Sequence, residues 1–427
     1  MTNKVQSEID RLAELIGIPT TNLGKRSAAL SFPDFGELNA RLICADNLVA
    51  LECLGQTESP RFDFCYIDPP YNTGQRFIYD DNRTSSARGI WGAHTNWMAF
   101  MLPRLLLAKK VMSDTGIIAV SIDDYEHHRL RVLMDAVFDE ANHVGTLVVG
   151  RSKNGKGSQP GISVNHEYVL IFRRSDKATL RGLSESNPEG YDKSDSHGSY
   201  KIDGLFRKKG DASRRVDRPN MFFPLYYDDD GNVSTVKSGS TLKEVFPVDS
   251  SGIERRWLWG PEKTAKESWK LYASKSGVVY VKNYLTANKR VKIRSIWDNV
   301  GYLTEKATLE VKEIYGEKVF ETPKPLTLIE HLVECCVDER GLVLDFFAGT
   351  GTTAHATENV NAADGGLRRV VLVEQNVPTP GTHIARTMGF GSLSDLTRHR
   401  LQYIQKQRPD YQFDVLDWTA ETAMGSA

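Results

Sequence analysis

The chain has 427 residues, of which 40% are hydrophobic and 26% charged, and its formal net charge is -1. This composition is ordinary for a globular protein and excludes a wholly disordered chain. No run of residues approaches the roughly 18 apolar positions of a membrane-spanning helix, and the first eight residues contain no apolar signal region. We therefore expect neither a membrane protein nor a secreted one.

The cysteines indicate a reducing compartment. There are five of them, an odd number, and none stands in a Cys-x-x-Cys pair. Their positions are Cys44, Cys53, Cys65, Cys335 and Cys336. Because this spacing shows neither a disulfide framework nor a metal site, we expect small, buried, reduced side chains in the cytoplasm.

Strand and helix patterns alternate along most of the chain, after an amphipathic helix predicted over residues 5–16. Short apolar runs rich in β-branched and aromatic residues are typical of strands. They cover residues 41–45, 62–67, 116–122, 144–149, 167–172, 342–344 and 370–373. Helical patterns cover residues 97–112, 128–138, 353–360 and 394–406. This alternation predicts an α/β fold, with a mostly parallel sheet covered on both faces.

The middle of the chain has a different composition. From about residue 176 it is rich in Gly, Ser, Asp, Lys and aromatic residues and has few apolar runs, and the sheet pattern resumes near residue 340. We therefore expect a second module inserted into the α/β domain. Its basic residues could face phosphates or form solvated surface. The basic residues singled out are Arg207, Lys208, Lys209, Arg214, Arg215, Arg218, Lys289 and Arg290, followed by Lys292 and Arg294.

Aromatic residues accompany the basic ones, and most of them are expected to form a small ordinary core. They are Phe222, Phe223, Tyr226, Tyr227, Trp257, Trp259, Trp269 and Trp297. The alternative is that aromatic rings stack on exposed bases while basic residues hold a nucleic-acid backbone.

The segment Asp68-Pro-Pro-Tyr71 stands at the end of a predicted strand and continues as Asn-Thr-Gly74. The two prolines fix the backbone and prevent helix continuation, and the carboxyl ends of such strands are where open α/β sheets bind ligands. The Asp68 carboxylate and the Pro69 carbonyl offer two acceptors for the hydrogens of an amino group. Tyr71 could stack on an extruded base.

A second segment, Asp345-Phe-Phe-Ala-Gly349-Thr-Gly351-Thr-Thr353, also leads from a strand into a helix. Its glycines let the backbone approach a ligand, and the helix N-terminus favours an anionic group. Glu374 ends the next strand, where an acid suits ribose hydroxyls. Because Ala354 stands where dinucleotide-binding loops have a third glycine, a nicotinamide or flavin enzyme is disfavoured.

Together, Asp-Pro-Pro-Tyr and Phe-x-Gly-x-Gly resemble the amino-methyltransferases of DNA. Their order along the chain resembles the beta class, and finer detail resembles the modification subunits of type III restriction systems. That detail lies in residues 77–82, 121–124, 165–172 and 323–325. The resemblance covers roughly residues 38–175 and 318–405. It implies a Rossmann-like, circularly permuted methyltransferase fold with a seven-stranded, mostly parallel sheet, and S-adenosyl-L-methionine as cofactor.

The resemblance assigns roles by position. Asp68, Pro69, Pro70 and Tyr71 match the catalytic loop. The cofactor positions it implies are Asp345, Phe347, Gly349, Gly351, Thr352, Thr353, Glu374, Lys324, Pro325 and Asp46. Asp46 matches the acid of a Gly-Asp-Asn-Leu element, although Ala45 replaces the usual glycine here.

The expected domain organisation follows from these assignments. Residues 1–37 form a helical extension, 38–175 the catalytic part, 176–318 a target-recognition domain, 319–406 the cofactor-binding part and 407–427 a tail. Double-stranded DNA is the implied partner, and a homodimer and an associated restriction subunit remain open. The implied reaction is methylation of adenine N6. The alternatives are cytosine N4, an RNA or protein amino or amide nitrogen, and a catalytically inactive DNA-binding module.

Overall fold

A computed structural model describes residues 3–16, 34–56, 62–74, 92–153, 161–185 and 187–418. The chain forms two compact units. We call Met1–Leu183 with Lys292–Ala427 the sheet unit, and Ser184–Val291 the inserted unit. Among the described residues, no helix is both long enough and apolar enough to cross a membrane.

The described residues contain eighteen strands and ten α-helices, numbered here in chain order. Strands β1 to β18 are Ala40–Cys44, Phe62–Ile67, Met112–Ile122, His143–Gly150, His166–Arg173, Leu183–Ser184, Lys193–Asp195, Gly198–Leu205, Leu225–Tyr227, Val233–Ser234, Lys243–Val245, Leu271–Ala273, Val279–Tyr284, Arg290–Val291, Ile296–Trp297, Leu342–Asp345, Arg369–Glu374 and Phe413–Asp417. Helices α1 to α10 are Asn3–Leu15, Asn47–Leu54, Thr95–Val111, His127–Phe138, Pro261–Glu267, Thr304–Tyr315, Leu326–Cys336, Thr352–Asp364, Ile384–Thr387 and Leu393–Gln407.

The sheet unit is built on one nine-stranded sheet with the order β15-β4-β5-β3-β2-β16-β17-β1-β18. Strand β5 runs antiparallel to its neighbours β3 and β4, and the other pairs are parallel. The α/β class and the mostly parallel sheet are therefore confirmed. The circular permutation, which was inferred from the order of the two motifs, stays a prediction.

The sheet has nine strands rather than the expected seven. All seven predicted strands are present, and the two additional ones, β15 and β18, lie at its edges. Strand β15 has only two residues, and Ile296 is 69% exposed. Strand β18 is only partly buried and falls in the segment expected to be a tail. Neither edge strand has the buried apolar run that identifies a central strand from sequence.

Helices cover both faces of this sheet because successive residues of a strand point to opposite sides. On β3, Ile118 and Val120 belong to one core, with residues of α2, α3 and α4. Ile117 and Ala119 belong to the other core, with residues of α7, α8 and α10. The result is a helix–sheet–helix arrangement in three layers.

Three loops leave the carboxyl ends of neighbouring central strands, at one end of the sheet. Strand β16 lies between β2 and β17 and is parallel to both, with Leu344 paired to Cys65 and to Val371. Because the carboxyl ends of parallel strands meet at the same edge, the segments that follow β2, β16 and β17 are neighbours there. These are the segments that begin at Asp68, Asp345 and Glu374.

The inserted unit has a core of its own. Its main sheet has the order β12-β13-β8-β7, and a smaller one has the order β10-β9-β11. Of the eight aromatic residues, Tyr227 and Trp257 are buried in this core and Phe223 and Trp259 pack against it. Trp269 is 37% exposed, and Trp297 lies on β15 of the sheet unit. The inserted unit lies within the segment 176–318 that is predicted as the target-recognition domain, and residues 176–183 and 292–318, including α6, fall in the sheet unit.

Candidate active site

A pocket opens at the sheet edge where the three loops meet, and residues from both sequence motifs line it. Its lining residues are Asn47, Tyr66, Asp68, Pro70, Phe100, Phe320, Thr322, Pro323, Lys324, Asp345, Phe346, Phe347, Ala348, Gly349, Thr350, Thr352, Thr353, Val373, Glu374, Gln375, Val377 and Leu393. The phenylalanine rings give it apolar walls, and Asp68, Asp345 and Glu374 add carboxyl groups that can take part in hydrogen bonds.

One wall carries a tight hydrogen-bonded group at the Asp-Pro-Pro-Tyr loop. The Tyr71 hydroxyl donates to Asp68 Oδ1 over 2.7 Å, and Lys324 Nζ lies 2.9 Å from the same oxygen. Lys324 Nζ also donates to the Tyr71 oxygen over 2.8 Å. Because two donors engage Oδ1, the orientation of the Asp68 carboxylate is fixed.

Behind this group lies Glu167 of β5, which is only 2% exposed. Its Oε2 lies 3.5 Å from Lys324 Nζ and 3.5 Å from Arg151 Nε, and it accepts from the Tyr71 hydroxyl over 3.4 Å. Two cations therefore compensate this buried carboxylate and that of Asp68. Sequence reasoning noted the segment 165–172 but gave Glu167 and Arg151 no role, since neither stands in the motif they support.

The glycine loop is shaped by left-handed backbone at Gly349 (φ 54°) and Gly351 (φ 78°). A Cβ added to Gly351 would lie 3.2 Å from Thr397 Cγ2, closer than an ordinary van der Waals contact, and the left-handed φ would strain most other residues there. The Gly349 amide donates to Glu374 Oε2 over 2.6 Å, and the Gln375 amide donates to Oε1 over 2.9 Å. Burial nevertheless raises the pKa of Glu374 to about 8.

Asp345 anchors the start of the same loop. Its two oxygens accept from the Phe347 amide over 3.0 Å and from Thr353 Oγ1 over 2.5 Å. Burial raises the pKa of Asp345 to about 7, and the nearby charge of Asp68 adds to the effect. Thr353 lies in the first turn of α8, so Asp345 ties the end of β16 to the start of that helix.

Helix α10 supports the loop from behind. Thr397 Oγ1 donates to the Gly349 carbonyl over 2.7 Å, and Arg400 Nη1 donates to Thr352 Oγ1 over 3.0 Å. Arg400 is fully buried. Sequence reasoning identified this helix but missed both contacts, because each joins residues 48 positions apart.

Asp46 is the N-cap residue of α2. Its Oδ1 accepts from the Leu48 amide at the start of α2, while its Oδ2 accepts from Gln375 Nε2 over 2.8 Å. Arg104 Nη2 lies 3.5 Å from Oδ2. Asp46 thus holds the pocket residue Gln375 but does not itself line the pocket.

The structure brings most of the expected cofactor positions into one pocket. Asp46, Pro325 and Gly351 stand beside it rather than on its wall, as do Pro69 and Tyr71 of the catalytic loop.

The basic residues from Arg207 to Arg290 lie in the inserted unit, whereas Lys292 and Arg294 fall in the sheet unit. Arg207 Nη1 is 3.9 Å from Asp249 Oδ2, and Arg215 Nη1 is 3.0 Å from Glu254 Oε2. The Arg215 guanidinium also stacks 4.3 Å from the centre of the Phe222 ring. Lys289 Nζ donates to Asn283 Oδ1 over 2.5 Å. Lys209, Arg214 and Arg218 are exposed, and Lys208 and Arg290 are partly buried.

Comparison with known proteins identifies the family. The model of the N6/N4 family, described as DNA methylase, matches residues 62–369, a span that includes both motif loops. The chain belongs to this family of DNA methylases.

Individual relatives agree with that assignment. The chain is 47% identical over 411 residues to the type II methyltransferase M.KpnI of Klebsiella pneumoniae, covering 96% of this chain and 98% of that protein. It is 32% identical over 400 residues to the EcoPI Mod subunit, part of a type III restriction-modification enzyme of Escherichia phage P1. That match covers 86% of this chain and 62% of the Mod subunit.

Among solved structures, the chain is similar to a Thermus thermophilus protein described as a DNA modification methylase, complexed with S-adenosyl-L-methionine. The TM-score is 0.41 at 14% identity, and the alignment covers 88% of this chain and 100% of that one.

Proposed function

We propose that this protein transfers a methyl group from S-adenosyl-L-methionine to the N6 amino group of adenine in DNA. The observation that carries the proposal is the shared pocket. Asp68, from the Asp-Pro-Pro-Tyr loop, and Gly349 with Glu374, from the glycine loop and β17, line one cavity. A group that accepts the hydrogens of an amino group therefore faces a site shaped for a cofactor.

The chain's own residues account for activation of the amino group. The lone pair of adenine N6 is delocalised into the ring, and positive charge develops on the nitrogen as the new bond forms. Acceptors placed on its two hydrogens stabilise that charge. The Asp68 carboxylate is one such acceptor, with Oδ1 already held by Tyr71 and Lys324. The Pro69 carbonyl is the other.

The pocket fits the cofactor by its shape and donor set. Gly349 has left-handed backbone and lies on the pocket wall, and a Cβ added there would lie 3.6 Å from Cζ of Phe320, another wall residue, so glycine keeps this space open. The Glu374 carboxylate would accept from ribose hydroxyls, and Phe100 and Phe347 offer apolar walls for an adenine ring. The start of α8 would take the carboxylate of the methionine part. When bound there, the cofactor supplies the methyl group as an electrophile.

Adenine is favoured over cytosine because an aspartate heads the catalytic loop. In the amino-methyltransferases that the sequence resembles, aspartate is usual in adenine-N6 enzymes and serine in cytosine-N4 enzymes. The M.KpnI and Mod relatives are described as methyltransferase and restriction-modification proteins. We infer that this chain belongs to a restriction-modification or similar system, in which a homodimer or a restriction subunit would be its protein partner.

The inserted unit is the proposed target-recognition domain. It carries its own core, so its surface can vary without disturbing the sheet. Exposed Lys209, Arg214 and Arg218 provide positive charge for phosphates. We place the reaction in the cytoplasm, in keeping with five cysteines that are all buried thiols.

Nucleoside mass spectrometry tests the proposal. The purified protein would be incubated with labelled S-adenosyl-L-methionine and DNA from a host that lacks adenine methylation, with RNA and protein as parallel substrates. We expect labelled N6-methyladenine from DNA alone. Label found only in N4-methylcytosine, RNA or protein would refute the assignment.

A further inference from the structure

Glu126 is a fully buried carboxyl group that none of the roles above uses. It lies directly before α4 and is 0% exposed. Its Oε1 accepts from Asn72 Nδ2 over 2.5 Å and lies 2.6 Å from His94 Nδ1. Within the described part of the chain, Oε2 has no hydrogen-bond partner. Burying a carboxyl group is costly unless its partners compensate for the lost water, so the two partners of Oε1 are the place to look for its role.

One partner of Glu126 belongs to the catalytic loop. Asn72 follows Tyr71 directly and adopts left-handed backbone, with φ 56°. Asparagine visits this region more readily than most residues, yet it still needs local support to remain there. The Asn72 amide group donates to Glu126 and, over 3.3 Å, to the Ala93 carbonyl. The backbone turn after Tyr71 is therefore held through its side chain.

The other partner leads back to the same loop by a second route. His94 stands immediately before α3, and Trp97 of the first turn of α3 donates its indole N–H to the Pro70 carbonyl over 2.6 Å. Glu126 thus joins two supports of the loop, one acting at Asn72 and one acting near Pro70. Lys324 and Glu167 hold the loop through Asp68 and Tyr71, at positions distinct from these two.

We propose that Glu126 is a positioning residue for methyl transfer. By fixing Asn72 and His94, it sets the separation between the Pro69 carbonyl and the Asp68 carboxylate. These are the two acceptors that must meet both hydrogens of one amino group. The proposal rests on the proposed function, since it concerns the geometry of that reaction.

A double-mutant cycle measured on single-turnover rates tests the link between Glu126 and Asn72. The variants are Glu126→Ala, Asn72→Gly and the double variant, because glycine keeps the left-handed turn while it removes the side-chain bonds to Glu126 and to Ala93. A misplacement of about 1 Å costs up to about 10²-fold in rate, so we expect each single variant to be slower by about 10- to 100-fold. The rate loss of the double variant should be smaller than the product of the two single losses, because both single variants already remove the Asn72–Glu126 bond.

Further readouts separate positioning from a general loss of structure. Calorimetric affinity for S-adenosyl-L-methionine should change by less than about twofold, since Glu126 does not line the cofactor pocket. Glu126→Gln, which keeps an acceptor for Asn72, should recover most of the rate. Asp63→Asn is the matched control. Asp63 accepts from Ser113 and from the Leu342 amide at the opposite end of β2, so its loss should lower stability but not rate.

The outcomes distinguish this inference from the function on which it rests. If wild-type protein methylates adenine while the single variants keep its rate, or their losses multiply in the double variant, the positioning role is overturned and the function stands. A lower affinity for the cofactor that accounts for the whole rate loss would also overturn it. A wild-type protein that methylates no adenine overturns both.

Discussion

Replacing Glu374 with glutamine should weaken cofactor binding by an amount that depends on pH. Burial raises the pKa of this carboxyl group to about 8, although the amides of Gly349 and Gln375 both donate to it. Cofactor-free protein at pH 7 therefore carries Glu374 mostly protonated. Ribose hydroxyls donate more strongly to the ionised form, so cofactor binding should lower this pKa and release a proton.

The magnitude follows from two quantities. A hydrogen bond to a charged group contributes about 1.5–3 kcal/mol, which is a factor of about 10 to 150 in Kd. Ionising a group whose pKa is about 8 costs about 1.4 kcal/mol at pH 7 and almost nothing at pH 9. The wild-type Kd should therefore fall about tenfold from pH 7 to pH 9 through this group alone. Glu374→Gln should raise the Kd of the cofactor by about 10- to 150-fold at pH 9, and by a factor about ten times smaller at pH 7.

Isothermal titration calorimetry of both proteins at several pH values measures this directly. The α-amino group of the cofactor titrates near pH 8, and burial raises the pKa of Asp345 to about 7, but both groups are present in wild type and variant alike. The difference between the two pH profiles therefore belongs to Glu374. Parallel profiles, or equal affinity at pH 9, would refute the role given to this carboxyl group.

The same substitution should change how the stability of the cofactor-free fold depends on pH. The folded state binds more protons at Glu374 than the unfolded state between the ordinary pKa of 4.5 and about 8. The stability contributed by this group therefore falls as pH rises through that window. Glutamine keeps an acceptor for only one of the two amides, and this loss does not vary with pH. From pH 4.5 to pH 8 the Tm difference between the two proteins should therefore shift in favour of the variant, by about 1 °C for each 1 kcal/mol that wild type loses. A Tm difference that stays constant over this pH range would contradict the raised pKa of Glu374.

Four further predictions concern the reaction and the DNA. Asp68→Ala should lower kcat by about 10²–10³-fold with unchanged cofactor Kd, and near wild-type turnover would remove Asp68 from the mechanism. Tyr71→Phe should lower kcat by about tenfold or less, since it loses a hydroxyl hydrogen bond but keeps the ring. A loss in kcat as large as that of Asp68→Ala would contradict a supporting role for the Tyr71 hydroxyl. Arg214→Glu with Arg218→Glu should weaken DNA binding and reduce its salt dependence in fluorescence anisotropy. Exchanging Ser184–Val291 with a relative's segment should change the methylated sequence, and an unchanged site would disprove the recognition role.

The central strands could be predicted from sequence because each is a buried apolar run that ends in a functional segment. The edge strands could not. Ile296–Trp297 is too short for a periodic signal, and Phe413–Asp417 mixes charged and apolar residues at a sheet edge. A second module was predicted from composition, whereas α6, which lies within the segment 176–318, has no sequence signal that assigns it to either unit.

In the candidate site, too, the sequence predicts some residues and misses others. Asp68, Gly349 and Glu374 stand at strand ends, where a sequence pattern indicates a ligand-binding edge. Glu126 and Glu167 contact the loop only after the chain has folded, at 54 and 96 positions from their partners Asn72 and Tyr71. Such long-range contacts leave no local periodicity, so a single sequence predicts the acceptors but not the side chains that hold them.

The order of the sheet has a consequence for synthesis on the ribosome. Strands β16 and β17 occupy the middle of the sheet, between β2 and β1, yet they are made long after both. Until residues 342–374 emerge, β2 presents an unpaired apolar edge, and the nascent chain has no complete core. The inserted unit, with a core of its own, can fold during this interval. The sheet therefore cannot be completed until the last third of the chain has been synthesised. Chains truncated before that point would expose the unpaired edge of β2 and be prone to aggregation.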